Sequence, residues 1–263
     1  MSVYNYGCVI DAGSSGSRIY IYKWTTNQTT NTNEFIKIHH RPIFSNEMRP
    51  GVSNLNGGIE TLSELVLSAK ATLHNVELSN VPIYLGATAG LRISEEADSI
   101  MTNIRSTLHE SGFMFQDDNA RILTGNEESM YGWIVANYLN DSLGPSSTVG
   151  ALDLGGGSTQ ISLSTPTTTT KEDEVYPLKI GNVHYPLYTQ SYLSYGADQA
   201  RIRYEAEFLQ ESNINPCYGT GYIDEETGIS GSSNWVECFE SVAKLFENNF
   251  KAYRQQFSQT IFI

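Results

Sequence analysis

Two hairpins of one design constrain this chain more than any other feature. In the first, the apolar stretch Tyr6–Ile10 runs into Asp11-Ala-Gly-Ser-Ser-Gly-Ser-Arg18 and resumes as Ile19–Trp24. In the second, Thr148–Leu154 runs into Gly155-Gly-Gly-Ser158 and resumes as Thr159–Leu163, with Asp153 standing where Asp11 stood. Apolar runs bounded by Gly and Ser read as strands joined by turns. A repeated unit with an acid at the strand end implies two related lobes, each lending one loop to a shared cleft. The rest of the chain alternates in type. Leu62, Leu65, Val66, Ala69 and Leu73 predict a helix from Ile59, and Val81–Ala87 a buried strand. Ser94 is expected to cap an acid-first helix that ends near Gly112. Arg121–Thr124 reads as a strand feeding a helical segment, Glu127–Leu139, in which Met130, Trp133, Ile134 and Asn137 recur at helical spacing. Ser191–Gln210 and Glu237–Phe257 read as helical, Thr25–Asn33 and Ser164–Glu174 as polar loops. The fold class is therefore α/β, with lobes expected over residues 1–124 and 125–263.

The turns carry the chemistry a phosphate needs. Gly13 and Gly16 permit positive φ, so successive N–H groups can converge on an anion, while Ser14, Ser15 and Ser17 add hydroxyl donors. Gly155, Gly156 and Gly157 let backbone approach a phosphate, and Ser158 adds a hydroxyl. Each segment alone is equally a Gly/Ser turn with an acid at its start; as a facing pair they read as a phosphate clamp. Neither is a Walker loop or a Rossmann fingerprint. Mg²⁺ keeps most of its waters and is held by one or two carboxylates plus substrate phosphates, a sparse role that suits Asp11 and Asp153. Gly86-Ala-Thr-Ala-Gly-Leu-Arg92 sets Thr88 among small residues, as a tight strand-to-helix turn or a nucleophile turn. The second option needs a base relay, and the five His are scattered. Glu127 and Glu128 either complement a helix dipole or supply the base that orients water for in-line attack on a phosphoanhydride. Tyr131 and Trp133 read as core.

Bulk properties narrow the partners. With 16 basic against 29 acidic residues, formal charge −13, nucleic-acid binding is not expected, since its footprint is clustered Lys/Arg. A small polyanion remains compatible when backbone amides and a divalent metal meet it. No stretch reaches the length of a membrane span, and the first residues lack a signal-peptide layout. The strand-like opening and the motif within a few residues of it suggest a start at a domain boundary, where a leader could have been removed. Cys8 sits in an apolar strand and reads as buried. Cys217 and Cys238 bracket a Gly/Ser-rich excursion that a disulfide can staple in an oxidising compartment. The sequons Asn27-Gln-Thr29 and Asn140-Asp-Ser142 lean the same way.

Four stretches in order resemble the first four apyrase conserved regions of the nucleoside triphosphate diphosphohydrolases, the GDA1/CD39 family. They are Asp11–Arg18, Ala87-Thr-Ala-Gly-Leu-Arg92, Leu123-Thr-Gly-Asn-Glu-Glu-Ser-Met-Tyr-Gly-Trp133 and Ala151-Leu-Asp-Leu-Gly-Gly-Gly-Ser-Thr-Gln160. Tyr188–Gly196 and Asn215–Tyr218 also resemble that family. The resemblance implies an actin-like (ribonuclease H-like) two-lobed α/β fold and metal-dependent hydrolysis of nucleoside tri- or diphosphates. It implies that Asp11 and Asp153 hold Mg²⁺ or Ca²⁺ through water. Ser14, Ser15, Gly16 and Ser17 would clamp the phosphates with Gly156 and Gly157, and Thr88 would lie beside the metal and the terminal phosphate. Glu128 would be the catalytic base, with Ser158 and Gln160 helping to place the water. A secretory-pathway lumen or extracellular location is implied as well. Ser129 departs from the family's usual Gly. Nothing resembling the fifth region precedes Ile263, so the C-terminal part of the fold is expected to be incomplete.

Two other readings use the same residues. The exopolyphosphatase and guanosine pentaphosphate phosphatase group shares the paired loops and Gly-Gly-Gly-Ser-Thr but lacks the Ala-Thr-Ala-Gly-Leu-Arg and Tyr-Gly-Trp context. The other is a nucleotide-binding module that does not turn over.

Overall fold

The computed structural model describes residues 4–25, 41–144, 148–164, 175–209 and 212–257, in two compact units, Met1–Ala197 and Asp198–Ile263. The expected loops at Thr25–Asn33 and Ser164–Glu174 lie, beyond their first residues, outside this range.

In the first unit, β1 (Tyr4–Ala12) and β2 (Ser17–Thr25) form the predicted hairpin, paired without a break from Tyr4 opposite Thr25 to Ala12 opposite Ser17. β3 (Phe44–Met48) extends the sheet antiparallel beyond β2, while β4 (Ile83–Ala87) and β5 (Ala120–Ile122) add parallel strands on the other side of β1. The order β3-β2-β1-β4-β5 is the mixed sheet of the actin-like, ribonuclease H-like class, as expected. Central placement seals Cys8, Ile10 and Ala12 of β1, and burial pushes the unpaired Cys8 thiol up to about 12. α1 (Gly58–Thr72) and α3 (Ala97–His109) bury Leu62, Leu65, Val66 and Ala69, and Ile100, Met101, Ile104 and Leu108, in the same core. Each set is a one-sided apolar stripe.

The second hairpin, β6 (Ala151–Leu154) and β7 (Ser158–Ser164), continues into β9 (Val183–Leu193) and β8 (Val175–Ile180), antiparallel throughout in the order β6-β7-β9-β8. α4 (Gly125–Leu139) lies on this sheet, with Met130 and Trp133 packed with Tyr185 and Leu187. The Trp133 and Tyr185 rings meet edge to face at 5.2 Å. Asn137, also on the helical stripe, is sealed for a polar reason. Its Nδ2 donates to the carbonyls of Trp133 and Val149, and its Oδ1 accepts from the Val149 N–H and the Ser142 hydroxyl.

Among the boundaries that differ from expectation, two have a clear physical cause. Ser94 does not cap α3; its hydroxyl accepts from the Glu96 N–H, shaping the turn before a helix that starts at Ala97 and ends at His109. Residues 191–193 are strand rather than helix. Tyr188, Tyr192 and Leu193 suit either period, and the ladder to β7 decides for β9. Ser194, at φ 67°, then turns the chain toward α5 (Ala197–Phe208).

The second unit has its own core around Tyr204, Leu209 and Leu245, between α5 and α6 (Trp235–Phe257). β10 (Ile214–Asn215) and β11 (Ser230–Gly231) form a short parallel pair. The Cys217–Cys238 disulfide spans 4.9 Å between Cα atoms and joins the turn region to α6, as the bracketing of that excursion predicts.

The two faces of α1 make different demands. Leu62→Ala, at a fully buried site, is expected to cost about 2–5 kcal/mol of unfolding free energy by transfer and cavity terms. Leu67→Ala, where the side chain is 60% exposed, should stay within about 0.5 kcal/mol. Urea denaturation of the two variants checks the assignment; equal losses would contradict it.

Candidate active site

The end of β1 places Asp11 opposite Arg18 on β2, and Arg18 opposite Glu47 on β3. Cross-strand neighbours of opposite charge pair favourably: Arg18 Nη1 is 3.6 Å from Asp11 Oδ2 and Nη2 is 3.1 Å from Glu47 Oε1. The row steadies Asp11 while leaving 44% of its side chain accessible. Burial lifts the Asp11 carboxyl above its ordinary value, against the pull of Arg18, with Asp153 and Glu47 adding repulsion. In the turn itself, Ser15 is exposed, Ser14 half-buried and Gly16 buried. Ser17 differs from the sequence expectation. It is fully buried and its Oγ accepts from the Val52 N–H at 3.2 Å, so this hydroxyl ties the turn to the segment after β3.

The second turn lies directly against the first. A Cβ at Gly157 would fall 2.7 Å from the Ala89 Cβ and 3.5 Å from Ser14 Cβ and Oγ, so only glycine lets the two hairpins and the start of α2 (Ala89–Arg92) meet here. Thr88 precedes α2 and is tied to the end of β1, its N–H donating to the Ala12 carbonyl at 3.2 Å and its hydroxyl to the same oxygen at 3.5 Å. Asp153, on β6, is exposed. Its charge is felt by both Asp11 and Glu128.

Neighbouring acids on α4 receive opposite environments. Thr124 caps the helix through a capping box: its Oγ accepts from the Glu127 N–H, and Glu127 Oε2 accepts from the Thr124 N–H at 2.9 Å. Glu127 Oε1 also pairs with Arg121 at 2.8 Å. Burial would raise this carboxyl, but the Thr124 N–H, Arg121 and the Thr124 hydroxyl outweigh it and hold it below the ordinary range. Glu127 is therefore a structural cap. Glu128, 18% exposed, instead meets Arg92 at 2.6 Å between Oε2 and Nη2. Arg92 Nη1 donates to the Leu123 carbonyl at 2.9 Å, and Nη2 also reaches Ser158 Oγ at 3.0 Å. Gln160 Nε2 lies 2.6 Å from Ser158 Oγ and 3.2 Å from Glu128 Oε2. Burial raises the Glu128 carboxyl; Arg92 opposes this by hydrogen bond and charge, and Asp153 and Asp11 add to it.

Ser129 is buried, donating to the Ile161 carbonyl while its own carbonyl accepts from the Ser162 hydroxyl. This reciprocal pair pins the first turn of α4 to β7 and so places Glu128. The structure thus sets Ser14 against Gly157, ties Thr88 to Ala12 beside Asp11, and links Glu128 to Gln160 directly and to Ser158 through Arg92. Arg92, which touches Glu128 and Ser158, was not singled out from sequence. The only local signal was its position at the end of the Ala87–Arg92 stretch.

Arg92→Gln should leave Glu128 without its counter-charge, so the carboxyl is expected to titrate still higher. A ¹³C-carboxyl NMR titration reads this directly, and an unchanged or lowered value would contradict the pairing.

The model of the GDA1/CD39 (nucleoside phosphatase) family matches residues 2–259. Ectonucleoside triphosphate diphosphohydrolase 1 of Bos taurus is 31% identical, over 94% of this chain and 57% of that protein. Probable apyrase 4 of Arabidopsis thaliana is 34% identical, over 84% of this chain and 46% of its own length. This chain spans about half the length of the curated relatives it matches. Among solved structures, a nucleoside triphosphate hydrolase from Neospora caninum has a TM-score of 0.64 at 17% identity, covering 97% of this chain and 59% of that one, and shares the fold. With the family model matching nearly the whole chain and the paired Gly-rich hairpins where the fold class puts them, this chain belongs to the GDA1/CD39 nucleoside phosphatase family.

Proposed function

We propose that this chain carries the catalytic centre for metal-dependent hydrolysis of nucleoside tri- or diphosphates, with Glu128 as general base. The observation that carries this reading is the setting of Glu128: a half-buried carboxylate raised in pKa, fixed by Arg92 and Gln160, in the unit that holds two phosphate-sized turns. The nucleotide class rests on family membership and on relatives named as diphosphohydrolases and apyrase. The same reading puts a boundary between lobes at residues 124 and 125, where the chain leaves β5 for α4.

The carboxylates fit a hydrated divalent cation. Asp11 and Asp153 repel one another across the site, so a cation between them is favoured. Among the described residues no group of three or more His, Cys, Asp or Glu is arranged for direct ligation, which suits attachment through water. Bound there, Mg²⁺ or Ca²⁺ supplies neutralisation of the phosphate oxygens. In this reading the turn amides around Ser14–Gly16 and Gly156–Gly157, with the Ser14, Ser15 and Thr88 hydroxyls, orient the terminal phosphate. Ser158 and Gln160 place a water. Glu128 accepts a proton as the water oxygen bonds to phosphorus, and the bond to the bridging oxygen breaks to release the shorter nucleotide. The Cys217–Cys238 disulfide favours an oxidising, secretory or extracellular setting. Among the described residues no helix is long and apolar enough to cross a membrane.

A phosphate-release panel over ATP, ADP, GDP, UDP and long-chain polyphosphate tests the reading. Release from nucleotides, abolished by EDTA, is expected; release from polyphosphate alone would overturn it, and metal–nucleotide binding without release would mean a non-hydrolysing module. Glu128→Gln should lower kcat by about 100- to 10,000-fold, the usual worth of a general base, with binding largely retained. Asp153→Ala should weaken both. A raised Glu128 pKa means the base protonates as pH falls through a value above that of an ordinary glutamate. The acid limb of kcat/KM should therefore lie above the ordinary glutamate value and vanish in Glu128→Gln.

A further inference from the structure

Gln160 is 2% exposed, and its Nε2 has three neighbours: Ser158 Oγ at 2.6 Å, Ser191 Oγ at 3.1 Å and Glu128 Oε2 at 3.2 Å. Its Oε1 is buried without a hydrogen-bond partner among the described residues. An orphaned buried acceptor is costly, so something overrides the alternative in which the amide is turned over. An ionised carboxylate only accepts; turning the amide would set Oε1 against Glu128. The hydroxyls of Ser158 and Ser191 both donate and accept and so tolerate either orientation; the Glu128 carboxylate decides it. Ser191 stands directly opposite Gln160 in the β7–β9 ladder. It is confined from the other side by Gly125, the first residue of α4, where any side chain would run into Ser191 Cβ and Oγ. One small hydroxyl therefore touches both the amide that donates to Glu128 and the start of the helix that carries Glu128.

We propose that Ser191 is a positioning residue of the site, acting through Gln160. Its Oγ lies 3.1 Å from Nε2, sharing the two amide hydrogens with Glu128 and Ser158, and holds the carboxamide in place beside Glu128, while its small size lets α4 start against β9. The proposal rests on the reading of Glu128 as base for its kinetic consequence, though not for the contact between Ser191 and the amide.

The test uses the full chain. In ¹⁵N NMR, Ser191→Ala should speed solvent exchange of the Gln160 side-chain NH₂ by about 3- to 10-fold, the worth of one net hydrogen bond. In turnover, kcat should fall with KM unchanged, and that loss should disappear when Ser191→Ala is made in a Gln160→Ala background, because the two act as one unit. Gly125→Ala, which pushes on Ser191, should move both readouts in the same direction. Unchanged exchange of the Gln160 amide in Ser191→Ala, or an equal kcat loss with Gln160 already removed, overturns the proposal. Near-normal turnover of Glu128→Gln would instead defeat the proposed function, and the amide-exchange measurement would still decide the role of Ser191.

Discussion

The Arg92 guanidinium is the fixed point of the site. A largely buried cation is tolerated only where its desolvation is offset by close partners, and Arg92 has three: the Leu123 carbonyl, Glu128 and Ser158. These partners belong to the segment after β5, to α4 and to β7, so one side chain ties the first sheet's last helix turn to the second sheet. That single charge orients the Glu128 carboxylate and holds Ser158, which in turn meets Gln160.

Around it, α4 is held by polar bonds at both ends and by apolar packing between. The Thr124 capping box sets where the helix begins, Ser129 and Ser162 lock its first turn to β7, and Asn137 locks its last turn to the approach to β6. Trp133 fills the middle against Tyr185. Adjacent glutamates consequently diverge in role. Glu127 spends its oxygens on the helix N-terminus and Arg121, while Glu128, one position further round, faces the hairpins.

A chain of net charge −13 is as a whole poorly suited to a polyanion, and the proposed function meets this locally. In that reading the turns offer backbone and hydroxyls rather than carboxylates, and the acids that border them, Asp11 and Asp153, are met by a cation. Arg18 and Arg92 are each already paired with an acid, so the arginines shape the site more than they add free positive charge.

What was legible in the sequence was local. Strand-turn-strand chemistry marked both hairpins, the apolar stripe marked α1, and the bracketing of a turn-rich excursion by Cys217 and Cys238 marked the disulfide, because each depends on residues close in the chain. Four ordered motifs sufficed for the family. Residues that local pattern treats as alike were separated only by the fold. Ser17 and Ser14 look equivalent in a Gly/Ser turn, but Val52, 35 positions on, claims the Ser17 hydroxyl. Arg92 and Glu128 are 36 positions apart, and nothing in either segment indicates the other. Residues 191–193 carry side chains that suit helix or strand, and the ladder to β7 settled it. The sequence by itself determined the elements, the turns and the kinds of group available. Tertiary structure alone decided which hydroxyls face the site, which glutamate is free of its helix, and which cation orients it, because burial and hydrogen-bond partners are set by contacts between segments far apart in the chain.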